Sequence, residues 1–219
     1  MPTRPTLARC LPFALYLAFI AIAELLAWLG FTPQQLLWLY PVKIAAVVAA
    51  LAYFWRDYEE LRSNITTKQA LIAIITGIVV LILWLNLGAA WMTIGSASGY
   101  DPRSDGAIDW LLVAIRIAGA ALVVPVMEEL FWRSFVLRWL DRPDFSSVSP
   151  GAVSVKAIAI SSLLFGVEHN LWFAGLVAGL AYALLYRRHQ RLWSPILAHG
   201  VTNGLLGLYV VATNSWQYW

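Results

Sequence analysis

The stretch Ala70-LIAIITGIVVLILWLNLGAAW-Met92 decides the fold. Its 23 consecutive residues carry no charge, and at about 1.5 Å per helical residue they reach across a hydrocarbon core of about 30 Å. The rest of the chain repeats the pattern. Apolar segments fall at residues 11–29, 36–55, 108–137, 155–168, 171–186 and 192–213, separated by stretches that carry charge or the turn formers Pro, Gly, Ser and Asp. The sequence therefore reads as an all-α, polytopic transmembrane helical bundle of about seven spans. With no internal repeat and no long linker, residues 1–219 are expected to form a single integral membrane domain.

Composition agrees. The chain is 61% apolar and 12% charged, with a mean hydropathy of +0.71, whereas a soluble domain carries roughly 25% charge. A surplus of three positive charges, scattered along the chain, excludes the basic stripe of a nucleic-acid binder. The single cysteine, Cys10, excludes an internal disulfide and stands far from every candidate site.

Lysine and arginine accumulate in cytoplasmic loops. With the N-terminus inside, the cytoplasmic segments hold Arg4, Arg9, Arg56, Arg62, Lys68, Arg138, Arg142, Lys156, Arg187, Arg188 and Arg191, eleven of the fifteen cations. Lys43 and Arg103 fall at the opposite face, whose main loop carries Asp101, Asp105 and Asp109, while Arg116 and Arg133 lie inside spans. The expected topology is N-in and C-out, in a bacterial inner (cytoplasmic) membrane. Trp216 and Trp219 are expected to anchor the C-terminal end in the outer interface, as part of two aromatic belts. Arg4 and Arg9 before an apolar run, with Ala21-Ile22-Ala23, have the outline of a cleaved signal peptide. Because the run continues past Glu24 to Phe31, it is read as a retained helix.

An ionisable side chain at mid-membrane costs about 2.5–3.5 kcal/mol to insert, so each one needs a partner or a task. For Glu24 and Arg116 an interhelical pair or a snorkelling head suffices, and Asn86 reads as a helix–helix hydrogen bond. Pro125-Val-Met-Glu128-Glu129-Leu-Phe-Trp-Arg133 differs in kind. Adjacent helical residues point about 100° apart, so the two glutamates cannot share a role. Glu129 precedes Arg133 by four residues, the spacing of a helical ion pair. Glu128 faces Trp132 at that spacing and must find its partner on another helix, the setting in which glutamates serve as general bases. Phe165 with His169, and His199 with Asn203, are two more pairs at i,i+4. Counted inward from the expected cytoplasmic helix ends, Glu128, His169, His199 and Asn203 lie roughly 10 to 20 Å deep and can meet in one band.

Three known routes to intramembrane peptide cleavage fail. Ser161-Ser162 lacks the Gly-rich turn of a serine nucleophile, every Asp lies in or beside a loop, and Glu168-His169 is the reverse of the H-E-x-x-H zinc motif. What survives is water activated by Glu128 with His169, and an oxyanion stabilised by His199 and Asn203. No cofactor is required on that reading. The donor types equally allow a divalent metal such as zinc on Glu128, His169 and His199.

These motifs resemble the CPBP family of intramembrane proteases, which includes the CAAX prenyl proteases and bacteriocin-processing relatives. The likeness rests on Glu128-Glu129-x-x-x-Arg133, Phe165-x-x-x-His169 and His199-x-x-x-Asn203, in that order. Val124 to Arg133, Glu168-His169, Ala198 to Asn203 and the closing Trp216-Gln-Tyr-Trp219 are also similar to bacterial CAAX prenyl protease-related proteins that accompany exosortase and exopolysaccharide systems. The resemblance implies that Glu128 and His169 activate water, that His199 and Asn203 form the oxyanion hole, and that Glu129 with Arg133 supports the site. The implied partners are a membrane-associated polypeptide substrate, the bilayer and the exosortase machinery. Glu168 adds a carboxylate that orients His199, binds a cation or turns outward at its helix end. Two other classes stay open: a transporter or proton relay built on Glu and His, and a non-hydrolytic accessory subunit.

Overall fold

The computed structural model describes residues 3–95, 99–104 and 106–219, so Asp105 of the expected outer loop lies outside the described residues. All seven expected segments are helical: α1 Arg4–Trp28, α2 Pro33–Tyr53 with a break at residues 37–38, α3 Thr67–Asn86, α4 Trp110–Trp139, α5 Val155–Val167, α6 Trp172–His189 and α7 Trp193–Thr213. Their starts are encoded locally. Thr32 with Gln35 and Thr66 with Gln69 form capping boxes at α2 and α3, and Asp109 accepts from the Leu111 and Leu112 amides at α4.

Five helices, α1 to α4 and α7, are long and apolar enough to cross a membrane. The 13 residues of α5 rise only about 20 Å, so the expected span at 155–168 becomes the short arm of a hairpin with α6. The small residues Ser162, Gly166, Gly175 and Gly179 let the two backbones touch: a methyl on Gly179 would lie 3.0 Å from Ser162 Cα. The hairpin turn is tied to the segment after α3, where Trp172 Nε1 donates to the Trp91 carbonyl at 3.0 Å and Ile94 N to the Asn170 carbonyl at 2.8 Å. The 93–107 loop also holds a two-stranded hairpin, Arg103–Ser104 against Ala107–Ile108, which is small relief on an all-helical architecture.

The helix ends segregate as the charge pattern groups them. At one end Arg9 of α1 meets Glu60 at 2.8 and 2.7 Å, and Trp193 Nε1 donates to the Leu61 carbonyl at 2.9 Å. At the other lie Tyr40, Tyr100 and the Arg103–Asp101 pair. Trp28, Trp38, Trp91 and Trp110 are exposed near this second end and Trp55 and Trp139 near the first, the two positions where aromatic belts are expected. Trp216 departs from expectation, because the left-handed Asn214 (φ 55°) reverses the chain and buries its indole against Trp219 instead of in the interface. Asn86 departs too: its amide donates to the Ile82 carbonyl of its own helix at 2.7 Å, not to another helix.

Helix α4 is widened by π turns at Gly119–Val123 and Leu130–Val136. Pro125 has no N–H to offer the Ala121 carbonyl one turn back, and the ladder shifts register, with Val124 N–H bonding the Gly119 carbonyl. The carbonyls of Ala120 and Ala121 are released toward α7. Asn203 Nδ2 donates to Ala120 O at 2.9 Å. Gly200 lets the backbones close over Ala121, where a Cβ would sit 2.7 Å from the carbonyl oxygen. Gly200→Ala is therefore expected to destabilise the protein by about 1–3 kcal/mol through overpacking. Gly204→Ala, whose methyl would meet Ala121 Cβ at an ordinary 3.5 Å, should be neutral or stabilising. Unfolding midpoints in detergent check the pair, and equal effects would refute this packing.

Candidate active site

Glu128 and Glu129 lie in α4 between its two π turns, 5% and 0% exposed. Pointing about 100° apart, they keep different company. Glu129 is held by Arg133, with Nη1 to Oε1 and Nε to Oε2 both at 3.1 Å, and by His199 Nδ1 at 2.9 Å from Oε1. The Arg133 guanidinium stands over the Phe165 ring at 4.4 Å and beside Tyr182 at 5.4 Å, and donates to the Gly179 carbonyl at 3.4 Å. A buried ion pair survives where further donors and aromatic faces replace the lost hydration. The pair expected at Glu129 and Arg133 is thus present, and it also carries His199.

Because Nδ1 of His199 faces Glu129, its Nε2 points the other way, 4.0 Å from Glu128 Oε2. That is the interhelical partner the motif demands. Glu128 Oε2 is buried and has no hydrogen-bond partner among the described residues. His199 is further fixed by stacking on Tyr182, with ring centres 5.1 Å apart and planes at 21°. The Tyr182 hydroxyl donates to Thr202 Oγ1 at 2.8 Å, and that hydroxyl is shared between the carbonyls of Gly77 and Ala198 at 2.9 and 3.0 Å. The chain of contacts therefore runs from α4 through α6 and α7 to α3.

His169 lies in the turn just after α5, not within the helix. Its Nδ1 is 2.8 Å from the Phe165 carbonyl, an N–H donation that leaves Nε2 as a free acceptor. Phe165 is almost fully buried and packs against His169, His199 and Trp132, so its part is to space the two histidines. Glu168 caps α5 and accepts from Trp132 Nε1 at 3.1 Å. It turns outward, and the orientation of His199 falls to Glu129.

Glu128, His169, His199 and Asn203 all line one cavity of about 190 Å³, roomy enough for water. Asn203 spends one amide N–H on Ala120 and keeps the other. Tyr182, Thr202 and Arg116 line the cavity as well, and sequence reading assigned the site none of them; only the lone charge in a span marked Arg116. Glu24 and Arg116 do not pair: Glu24 is exposed five residues from the start of the α1–α2 turn, and Arg116 stacks on Tyr40. Among the described residues no three His, Cys, Asp or Glu converge as a metal site. The Nδ1 atoms of His169 and His199 are both engaged, by the Phe165 carbonyl and by Glu129.

Fold and site together define an integral membrane helical protein with a buried Glu/His centre. Residues 110–205, which carry all three motifs, match the family model described as Rce1-like type II CAAX prenyl endopeptidase. The chain is also similar to a Bacillus subtilis (strain 168) protein named "Putative membrane peptidase YdiL", with 29% identity over 96 residues, 42% of this chain and 35% of that protein. The match thus spans about a third of that relative's length. No solved structure matches this chain.

The two glutamates should separate experimentally. Glu129→Gln leaves Arg133 buried without its carboxylate and should cost about 3–5 kcal/mol. Glu128→Gln disturbs no hydrogen bond and should cost under about 1 kcal/mol. Denaturant titration in micelles reads both, and equal losses would contradict the division of roles.

Proposed function

We propose that this protein is an intramembrane endopeptidase of the CAAX prenyl endopeptidase type, hydrolysing a peptide bond of a membrane-associated polypeptide with water. One observation carries the reading: Glu128 and His199 Nε2 face each other at 4.0 Å on the wall of a cavity with room for water and substrate that His169 and Asn203 also line. Water held between Glu128 and His169 Nε2 gives a proton to the carboxylate as its oxygen attacks the carbonyl carbon. The oxyanion takes hydrogen bonds from the spare Asn203 N–H and from His199 Nε2–H. The latter requires the doubly protonated ring, and His199 and Arg133 then balance Glu128 and Glu129 in charge. Collapse of the tetrahedral intermediate breaks the C–N bond, and the proton on Glu128 passes to the leaving amine.

No step runs through a metal. Tyr40, Arg116 and Trp219 line the cavity toward the end opposite the Arg9–Glu60 cluster, which supports access from the face away from the cationic loops. With the N-terminus inside, that is the outer face of a bacterial inner membrane, and a polypeptide handled by an exosortase system fits that side.

Glu128→Gln should lower turnover at least about a hundredfold while the protein still folds. Asn203→Ala should cut kcat by about 10²–10³ with little change in KM. Comparing membrane and secreted proteomes of wild-type and Glu128→Gln cells should reveal an accumulated precursor. Unchanged processing would remove Glu128 from the chemistry. EDTA should leave turnover unaffected, and loss of activity restored by zinc would contradict the metal-free scheme.

A further inference from the structure

Beyond the Glu/His cluster, the same cavity is lined by Arg116 of α4 and by Tyr16 and Tyr40. The Arg116 guanidinium lies 4.3 Å from the Tyr40 ring centre and 5.2 Å from that of Tyr100. Lys43 Nζ lies 3.9 Å from the Tyr16 ring centre and 5.1 Å from that of Tyr40. Two cations therefore flank one phenol ring. Among the described residues no carboxylate lies within 4.0 Å of either, and Arg116 Nε is buried without a hydrogen-bond partner. The other arginines inside the bundle are satisfied: Arg9 has Glu60 at 2.7 Å and Arg133 has Glu129 at 3.1 Å.

Aromatic faces ease a cation but do not replace an anion. A guanidinium left unpaired in an apolar setting beside a second cation, and facing an open cavity, is matched by a planar anion that takes two parallel N–H bonds. We propose that Arg116 forms an anion subsite that captures a carboxylate of the bound polypeptide, either its chain terminus or an Asp or Glu side chain, with Lys43 raising the local positive potential. Twelve residues separate Arg116 from Glu128 on one helix, a rise of roughly 18 Å. A carboxylate held there fixes the register of an extended substrate several residues from the bond presented to Glu128. The inference rests on the peptidase reading for the nature of the ligand, but its test does not require cleavage.

The test uses the full chain carrying Glu128→Gln in lipid nanodiscs, with fluorescent pools of degenerate apolar pentapeptides. One pool has a free C-terminal carboxylate, a second is C-terminally amidated, and a third is amidated but contains one Asp. The first or third pool should bind about tenfold more tightly than the second, the worth of a charge-assisted bond, and which of the two does so identifies the carboxylate. Arg116→Gln should abolish the preference and Arg116→Lys should restore part of it. Equal binding of the three pools, binding of none, or a preference that survives Arg116→Gln would overturn the subsite. If the protein with Glu128 intact cuts no pool while the carboxylate preference stands, the hydrolytic reading fails and the subsite remains.

Discussion

Glu129 is the constraint on which the rest of the site depends. A carboxylate with no exposed surface, inside a bundle that lipid surrounds, survives only if cations and donors replace its water. Arg133 supplies one cation from the same helix and His199 supplies a donor from α7. Arg133 in turn needs the faces of Phe165 and Tyr182 and the carbonyl of Gly179. Satisfying one buried acid thereby joins α4, α5, α6 and α7 at a single depth. It also turns His199 so that Nε2 addresses Glu128.

Two neighbouring carboxylates thus receive opposite treatment. Glu129 has Arg133 and His199 within 3.1 Å, whereas Glu128 makes no hydrogen bond among the described residues and faces a cavity. Divergent environments for a pair of acids let one site hold both a structural anion and the reactive one proposed at Glu128. The backbone contributes to the same end. Pro125 shifts the α4 ladder into a π turn, the released Ala120 carbonyl captures Asn203, and Gly200 permits the approach of α7 that brings His199 and Asn203 to the cavity.

The spans were legible because hydropathy and charge act over whole segments, and each of the seven apolar stretches is a helix. Crossing length was harder to read. The 155–168 segment is apolar enough, yet its helix ends at Val167, and the chain turns back so that Gly166 lies close against the backbone of Trp172 and Leu176. The motif residues were legible because charge is conspicuous in an apolar helix. Their partners were not, since partnership depends on which helices pack: Asn86 bonds within its own turn, Trp216 folds inward behind a left-handed Asn214, and Glu129, not Glu168, holds His199. Tyr182 and Thr202 look like ordinary span residues, and only the contact between α6 and α7 reveals that they orient a histidine. Arg116 was visible as an isolated charge, but its lack of a partner is a property of the folded molecule.

The central claim is that Glu129 positions His199, and a double-mutant cycle tests it most directly. Unfolding free energies in detergent for the parent, Glu129→Gln, His199→Gln and the double variant give the coupling between the two side chains. A buried charge-assisted hydrogen bond predicts a coupling of at least about 1.5 kcal/mol. Additive single effects, with coupling below about 0.5 kcal/mol, would show that His199 is held by something other than Glu129.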